Sequence, residues 1–348
     1  MTVDRNDGNE KILLAHGSGG KAMHSLIRDV LGPLIGIEDF NDSAVVPFET
    51  KDANTGPING GLVFTTDSYV VSPLFFPGGD IGSLSVNGTI NDISMTGATT
   101  LCLSLSLIIE EGLSMDALLQ ILGSIKEASE TAGVRIVTGD TKVVNKGKGD
   151  GIFINTSGIG LVRKGIRLSP KNVIPGDVII LSGPIGNHGV AVMAERNGLT
   201  FDPPVLSDTA ALNELVDIML SHTPEIHAMR DPTRGGLATT LKEIALESGV
   251  CIEIDEETIP LSARVRGACE LLGIDPLYVA NEGVLVAFAG KNVAKLLLNE
   301  MKKHPLGKNS AVIGRTTGGP KRTVLLKTLI GGTRIVDMLH GEQLPRIC

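Results

Sequence analysis

Between Leu101 and Leu107 every second residue is leucine, and the residues between them, Cys102, Ser104 and Ser106, are small. A period of two is the repeat of a strand that buries one face. Further on, Ser114 stands where a helix N-cap belongs, with Leu118, Leu122 and Ile125 spaced to share one helical face. Gly133 occupies the C-terminal cap position, and Val134 to Thr138 and Ile152 to Val162 read as buried strands. Strand, helix and strand in that order predict an α/β domain, which closes near Arg163. The 43 glycines, the two tyrosines and the absence of tryptophan suit such a domain with many tight turns.

At 348 residues the chain is long enough for a second domain. Pro170 and Pro175 mark a linker, followed by the strand Val178 to Leu181, a glycine-rich turn and a helix from about His188. Asp231 as N-cap and Pro232 at N1 predict another helix, with Leu237, Leu241, Ile244 and Ala245 at helical spacing and Gly249 beyond its end. The strand Val284 to Ala289 and the helix Val293 to Lys303 follow. Upstream of the first domain's strands lie a glycine loop, His16-Gly17-Ser18-Gly19-Gly20, and a strand-like run from Gly61 to Thr66 that ends at Asp67. A Gly/Pro-rich stretch from Pro73 to Gly82 and a small-residue segment from Ser83 to Thr99 separate that run from the leucine strand. Gly331 to Cys348, with two glycines at its start and Pro345 near its end, reads as a tail. The expected division is thus a segment 1–40, domains 41–165 and 170–330, and a tail 331–348.

The formal charge of −8 and the scattered Lys and Arg argue against nucleic-acid binding, which requires a cationic stripe. The four cysteines are far apart with no C-x-x-C pair, which speaks against a disulfide framework or a zinc site. Met1 to Glu10 is polar, and the apolar run Leu101 to Ile109 is too short to span a bilayer, so the expected location is the cytoplasm.

Acidic residues recur beside small ones: Asp42, Asp67, Asp92 and, in Thr-Gly-Asp-Thr-Lys, Asp140. Converging carboxylates suit Mg2+, while Asp as a turn cap explains each one singly. His16 to Lys21 lacks the outer positions of a Walker loop, which hold Ala15 and Ala22. Gly183-Pro-Ile-Gly186-Asn-His-Gly189 is either an anion-binding turn or a plain strand-to-helix connection. Asp231-Pro-Thr-Arg234-Gly-Gly combines a helix start, a guanidinium and two glycines that permit close backbone approach. Lys142 and Glu282 taken alone read as surface charges. Cys348 is the oddest residue, since a thiol on the last residue of a tail is oxidisable and gives nothing to a core. It is not a prenylation signal, which needs three further residues.

Together these segments resemble the HypE family, the carbamoyl dehydratases of nickel–iron hydrogenase maturation, within the superfamily of aminoimidazole ribonucleotide synthetase and selenophosphate synthetase. The resemblance runs from Ala15-His-Gly-Ser-Gly-Gly to Pro345-Arg-Ile-Cys348. Its most specific parts are Thr66 to Gly79, Val137-Thr-Gly-Asp-Thr-Lys-Val-Val144, Asp231-Pro-Thr-Arg-Gly-Gly236 and the terminal Pro-Arg-Ile-Cys. It implies an α/β fold of two domains, with the N-terminal sheet pairing across a homodimer, and ATP and Mg2+ in a cleft between the domains. By the same resemblance Cys348, Lys142, Glu282 and Arg234 are catalytic. Asp67, Asn91, Asp92, Asp140, Thr141 and Asp231 bind the nucleotide, and Asp42, Asp67 and Asp92 hold the metal. Relatives often carry two acids where this chain has Asn41-Asp42.

The implied reaction phosphorylates the oxygen of a carbamoyl group carried on Cys348 and then removes both N–H protons, leaving a thiocyanate. A HypF-like carbamoyltransferase supplies the group and a HypC–HypD-like complex accepts the cyanide. The competing readings are another ATP-dependent member of the superfamily and a non-enzymatic scaffold that uses the tail thiol. A selenophosphate synthetase needs a cysteine or selenocysteine near the N-terminal glycine loop, and no cysteine precedes Cys102. An aminoimidazole ribonucleotide synthetase or a thiamine-phosphate kinase leaves Cys348 without a purpose.

Overall fold

The computed structural model describes residues 12–17, 20–35, 42–52, 56–339 and 346–348. Ser18 and Gly19 of the glycine loop, Asn41, Pro345 and the polar start Met1 to Glu10 lie outside them. Among the described residues the first domain is a five-stranded sheet. Its strands are β1 (Ala44–Asp52), β2 (Gly56–Tyr69), β3 (Ala98–Glu110), β4 (Arg135–Val144) and β5 (Ile152–Val162), in the order β1-β2-β5-β3-β4. β3 and β4 are parallel, joined through helix α2 (Met115–Thr131), while the other neighbours are antiparallel. The Ser114 hydroxyl accepts the Ala117 amide at 3.2 Å as the N-cap. Gly133 has φ +68 at the far end, a conformation that glycine adopts without strain. β3 runs further than the leucine repeat, and a register irregularity between Thr100 and Cys102 leaves Leu101 exposed while Leu103 and Leu107 are buried.

The small-residue segment is a helix, α1 (Ile81–Met95), capped by the reciprocal bonds of Asp80 and Ser83. It shows no helical periodicity because nearly every residue in it is buried, between the sheet and the second domain. Small side chains permit that burial: a Cβ on Gly88 would stand 2.3 Å from the Tyr69 hydroxyl. β2 extends beyond Thr66 to Tyr69, so Asp67 lies within the strand rather than after it.

Among the described residues the second domain is a seven-stranded sheet. It contains β6 (Val178–Leu181), β7 (Ile226–Arg230), β8 (Cys251–Asp255), β9 (Val286–Ala289), β10 (Ala311–Thr317), β11 (Thr323–Lys327) and β12 (Thr333–Val336). Its order is β12-β11-β8-β10-β6-β9-β7, and only β8 and β11 are parallel neighbours. Helices α3 (Asn187–Arg196), α4 (Asn213–His222), α5 (Gly236–Ser248), α6 (Ala263–Leu272) and α7 (Ala294–Met301) accompany it. α5 begins at Gly236, not at Asp231. Gly235 and Gly236 have φ +80 and +61, and a Cβ on Gly236 would come within 2.5 Å of the Leu277 carbonyl oxygen. Asp231 and Pro232 therefore belong to the strand-to-helix connection.

The segment 331–348 is not a tail from its first residue. Gly331, at φ +84, turns the chain so that β12 pairs antiparallel with β11, and Val336, Met338 and Leu339 are buried. The glycine pair at its start is thus the turn of a hairpin. From Leu339 to Cys348 a fully extended chain reaches about 30 Å at about 3.3 Å per residue, less than the whole segment would span. No described helix is long and apolar enough to cross a membrane.

Candidate active site

The last three residues lie alongside the chain that follows β2. The Val70 amide donates to a terminal oxygen of Cys348 and the Ser72 amide to the Arg346 carbonyl, each at 3.2 Å. Nε of Arg346 donates to the Val70 carbonyl at 3.0 Å, and its guanidinium pairs with Asp150. From α3, Arg196 donates to the carbonyls of Ser72 and Arg346 at 2.8 Å each, and Nε2 of His188 stands 2.8 Å from the Ile347 carbonyl. Ile347 and Cys348 are only 2% and 7% exposed and belong to a core shared by both domains.

Burial raises the Cys348 thiol above the ordinary cysteine range; the Arg234 guanidinium opposes that, while Glu282, Asp67 and Asp231 reinforce it. Arg234 is the counter-charge of the site, and it also donates to the Gly17 carbonyl of the glycine loop at 3.1 Å. Burial, with Asp231, Asp208 and Asp67, pushes the Glu282 carboxyl well above its usual range, and Arg234 offsets part of this. Oε1 of Glu282 is buried without a hydrogen-bond partner. An orphaned carboxylate oxygen beside a buried thiol is costly to the fold and is suited to taking a proton from a group on that sulfur. Its backbone is fixed: the amides of Glu282 and Gly283 both donate to Asp208, at 3.0 and 2.9 Å. Only glycine fits at position 283, where a Cβ would lie 1.7 Å from the Asp208 carbonyl oxygen.

Next to the thiol lies an acidic basin. Burial raises Asp92 well above the carboxylate range, reinforced by Asp231, Asp67 and Asp42, while the Thr65 hydroxyl, 2.9 Å from Oδ2, opposes this. Asp231 is pushed up to about 8 by burial and by Asp42. Asp42 is raised by burial and pulled back by Arg230, with which it forms an ion pair. Among the described residues no three His, Cys, Asp or Glu side chains form a finished metal cage. Mutually repelling carboxylates nonetheless fit a hydrated Mg2+ that arrives with phosphates, because that ion keeps waters and shares few protein oxygens. A cavity of about 190 Å3 adjoins Asp42, Asp231 and Arg234, below the roughly 300 Å3 at which small-molecule pockets begin.

Three of the expected residues are not brought to Cys348 within one chain. On β2 the side chains of Val63, Thr65, Asp67 and Tyr69 share the inner face, and Phe64, Thr66 and Ser68 point away. Asp140 is in register with Ser106, Asn155 and Ser68, which places Asp140 and Lys142 on the outer face. Three strand spacings, about 14 Å, further separate β4 from β2. Lys142 pairs with Asp140 at 2.6 Å, and their side chains are 68% and 61% exposed. Thr141 is exposed on the same edge strand. Asn91 takes a different part: its side chain donates to the carbonyls of Ala210 and Glu282 and accepts from the Leu212 amide, all within the protein. It braces Glu282. The Gly183–Gly189 turn is likewise a structural connection, since the amides of Gly186, His188 and Gly189 are taken by Asn281, Asp208 and the Ala280 carbonyl.

Two family descriptions match the chain: the N-terminal domain of AIR synthase related protein over 41–162, and its C-terminal domain over 175–327. Carbamoyl dehydratase HypE of Cupriavidus necator is 49% identical over 97% of this chain and 95% of its own length. The protein of that name from Escherichia coli is 42% identical over 97% of this chain and 99% of its own. The chain belongs to the HypE family.

Solved HypE structures share its fold. HypE in a HypE–HypF complex superposes with TM-score 0.84 at 45% identity, over 90% of this chain and 100% of that one. HypE in complex with ATP gives 0.81 at 44% identity, over 97% and 100%. Thiamine monophosphate kinase from Aquifex aeolicus, 18% identical with TM-score 0.64 over 90% of this chain and 97% of its own, shares the fold alone.

Sequence reasoning passed over Asp208, Arg230, Asp150, His188 and Arg196. Only Asn281-Glu282-Gly283 offered a signal for Asp208, since a glycine that tolerates no Cβ implies a backbone pressed against its face. The others depend on contacts between residues far apart in the chain, such as Asp150 with Arg346.

Proposed function

We propose that this HypE-family chain is an ATP-dependent carbamoyl dehydratase acting on its own C-terminus. A carbamoyl group on Cys348, as S–C(=O)–NH2, is dehydrated to S–C≡N with ATP converted to ADP and phosphate. The observation that carries this is the seating of Cys348: a terminal thiol buried beside Arg234 and a carboxyl with one unpartnered oxygen.

Each residue then has a definable task. The carbamoyl oxygen is a poor leaving group, and its attack on the γ-phosphorus of ATP makes it part of a phosphate ester. Arg234 offsets the charge that develops there. Loss of the two N–H protons expels phosphate and forms the triple bond; Glu282 takes one of those protons at Oε1 and the departing phosphate carries away the other. Asp42, Asp67 and Asp92 would hold Mg2+, which supplies charge neutralisation at the phosphates when it is bound. Asp231 and Asp92 line the phosphate side of the site, and Asn91 keeps Glu282 in place.

Lys142, Asp140 and Thr141 enter from a second subunit. Phe64, Leu101 and Ile108 expose apolar surface on the outer side of the first domain's sheet, a poor face to leave in water. Packing that face against its copy in a homodimer carries the edge strand β4 toward the partner's site, where the partner's tail is seated. HypE is known in complex with HypF, and a HypF-like carbamoyltransferase is the donor proposed for this chain. A HypC–HypD-like complex accepts the cyanide, and the reaction takes place in the cytoplasm.

The test is the mass of the C-terminal peptide. After S-carbamoylation, incubation with ATP and Mg2+ should remove the mass of one water from that peptide with stoichiometric ADP and phosphate. A carbamoyl form that persists while ATP stays intact would make the chain a carrier rather than an enzyme.

A further inference from the structure

The tail is held by its backbone and by the Arg346 side chain, not by its sulfur. All three of its carbonyl-type acceptors are matched: Arg346 by the Ser72 amide and Arg196, Ile347 by His188, and Cys348 by the Val70 amide. Two of the donors are side chains of α3 in the second domain, and two are amides of the first domain. The seat therefore forms only across the junction of the domains. His188 is itself oriented, with Nδ1 at 2.8 Å from the Ser207 hydroxyl and its ring edge-on to Phe76 at 5.3 Å. Asp208, which binds the His188 amide, binds the amides of Glu282 and Gly283 as well. One carboxylate thus ties the tail's clamp to the proposed base.

We infer that His188 and Arg196 are positioning residues that hold the C-terminal backbone in register, and so set the balance between a seated and a released Cys348. The inference rests on the proposed dehydration for its catalytic meaning, and it goes beyond it in naming what governs delivery of the sulfur. No clamp contact touches Sγ, so the clamp itself does not depend on what the sulfur carries. Seating favours dehydration and opposes every event that needs the sulfur outside, namely loading by the carbamoyl donor and transfer to the acceptor. Weakening the clamp must therefore move the two kinds of event in opposite directions, which a loss of stability does not do.

The experiment uses the full chain and its variants His188→Leu, Arg196→Ala and His188→Gln. Glutamine can present an amide N–H where Nε2 of the histidine stood. Iodoacetamide alkylation is followed peptide by peptide without ATP or carbamoyl donor, so the readout survives even if the proposed reaction is wrong. Cys251, fully buried on β8 and outside the core that holds Cys348, serves as the internal reporter of general unfolding. Cys348 should react roughly tenfold to a hundredfold faster in Arg196→Ala, the factor expected for losing a hydrogen bond from a charged donor. His188→Leu should accelerate it as well, and His188→Gln should restore slow labelling. Dehydration of preloaded enzyme should slow in the first two variants while loading does not. Unchanged Cys348 labelling in both His188→Leu and Arg196→Ala would overturn the inference, as would labelling of Cys251 that rises in step.

Discussion

Replacing Glu282 with glutamine isolates the proton chemistry, because nothing else about the residue needs to change. Its position is fixed through the main chain, by Asp208 on the amide and by Asn91 and Ala210 on the carbonyl. The side chain that projects from this frame has one oxygen with no partner. Removing a general base costs about 10²- to 10⁴-fold in rate, which corresponds to about 2.7–5.4 kcal/mol of barrier at 1.36 kcal/mol per decade. Burial raises the folded carboxyl well above 4.5, so only a minor fraction is ionised at pH values below the raised value. There the wild-type rate should climb about tenfold per pH unit, while Glu282→Gln should be flat. Stability should move the opposite way. A raised folded value means that the contribution of Glu282 to stability is complete below 4.5 and is lost as pH rises through that folded value. Glutamine does not titrate, so the variant should become the more heat-stable protein as the solution is made alkaline. Single-turnover dehydration, read from the terminal peptide by mass spectrometry across pH, measures the first effect, and thermal melts measure the second. A glutamine variant that dehydrates at the wild-type rate would refute the base assignment, whatever its stability.

Mixed dimers of Lys142→Ala and Glu282→Gln should recover part of the dehydration that each homodimer lacks, since one of the two sites then has both groups; no recovery would place Lys142 in its own chain's site. Gly283→Ala should lower the melting temperature sharply, because its Cβ would meet the Asp208 carbonyl oxygen at 1.7 Å, and scanning calorimetry with a bound-nucleotide control reads this directly. Glu243, held by burial at about 7 rather than 4.5, contributes stability below about pH 4.5 that fades as pH passes about 7. Glu243→Gln should lose that dependence in melts taken across this window. Cys348→Ala should abolish formation of any cyanated peptide, and cyanation found at Cys102, Cys251 or Cys269 would contradict the assignment.

The elements most easily read from the sequence are those with one dry face. The leucine repeat of β3 and the Ser114 cap of α2 emerge where residue pattern predicts them, because an amphipathic element leaves its period in the chain, while β6 is legible as a short apolar run buried on both faces. α1 was not legible for the opposite reason, as a helix buried on every side has no polar face to mark it. The start of α5 was misplaced because Asp231 and Pro232 carry the local chemistry of a helix start, whereas the close backbone of Leu277–Val279 fixes where the helix can begin. β12 escaped notice because an exposed edge strand has little pattern of its own and is defined by its bonds to β11.

By itself the sequence determined the secondary structure with one apolar face and the division into two domains, and through its resemblance over Pro-Arg-Ile-Cys it pointed to Cys348 as the residue to test. Local propensity and period suffice for the first two, since they depend on neighbours a few positions apart. Only the tertiary structure decided that Cys348 is buried beside Arg234 and Glu282, that Asn91 serves the scaffold, and that Lys142 faces away from the thiol of its own chain. Those outcomes depend on which face of a strand a side chain takes and on which distant carbonyl meets which donor. Both are fixed by sheet register and by the packing of one domain on the other.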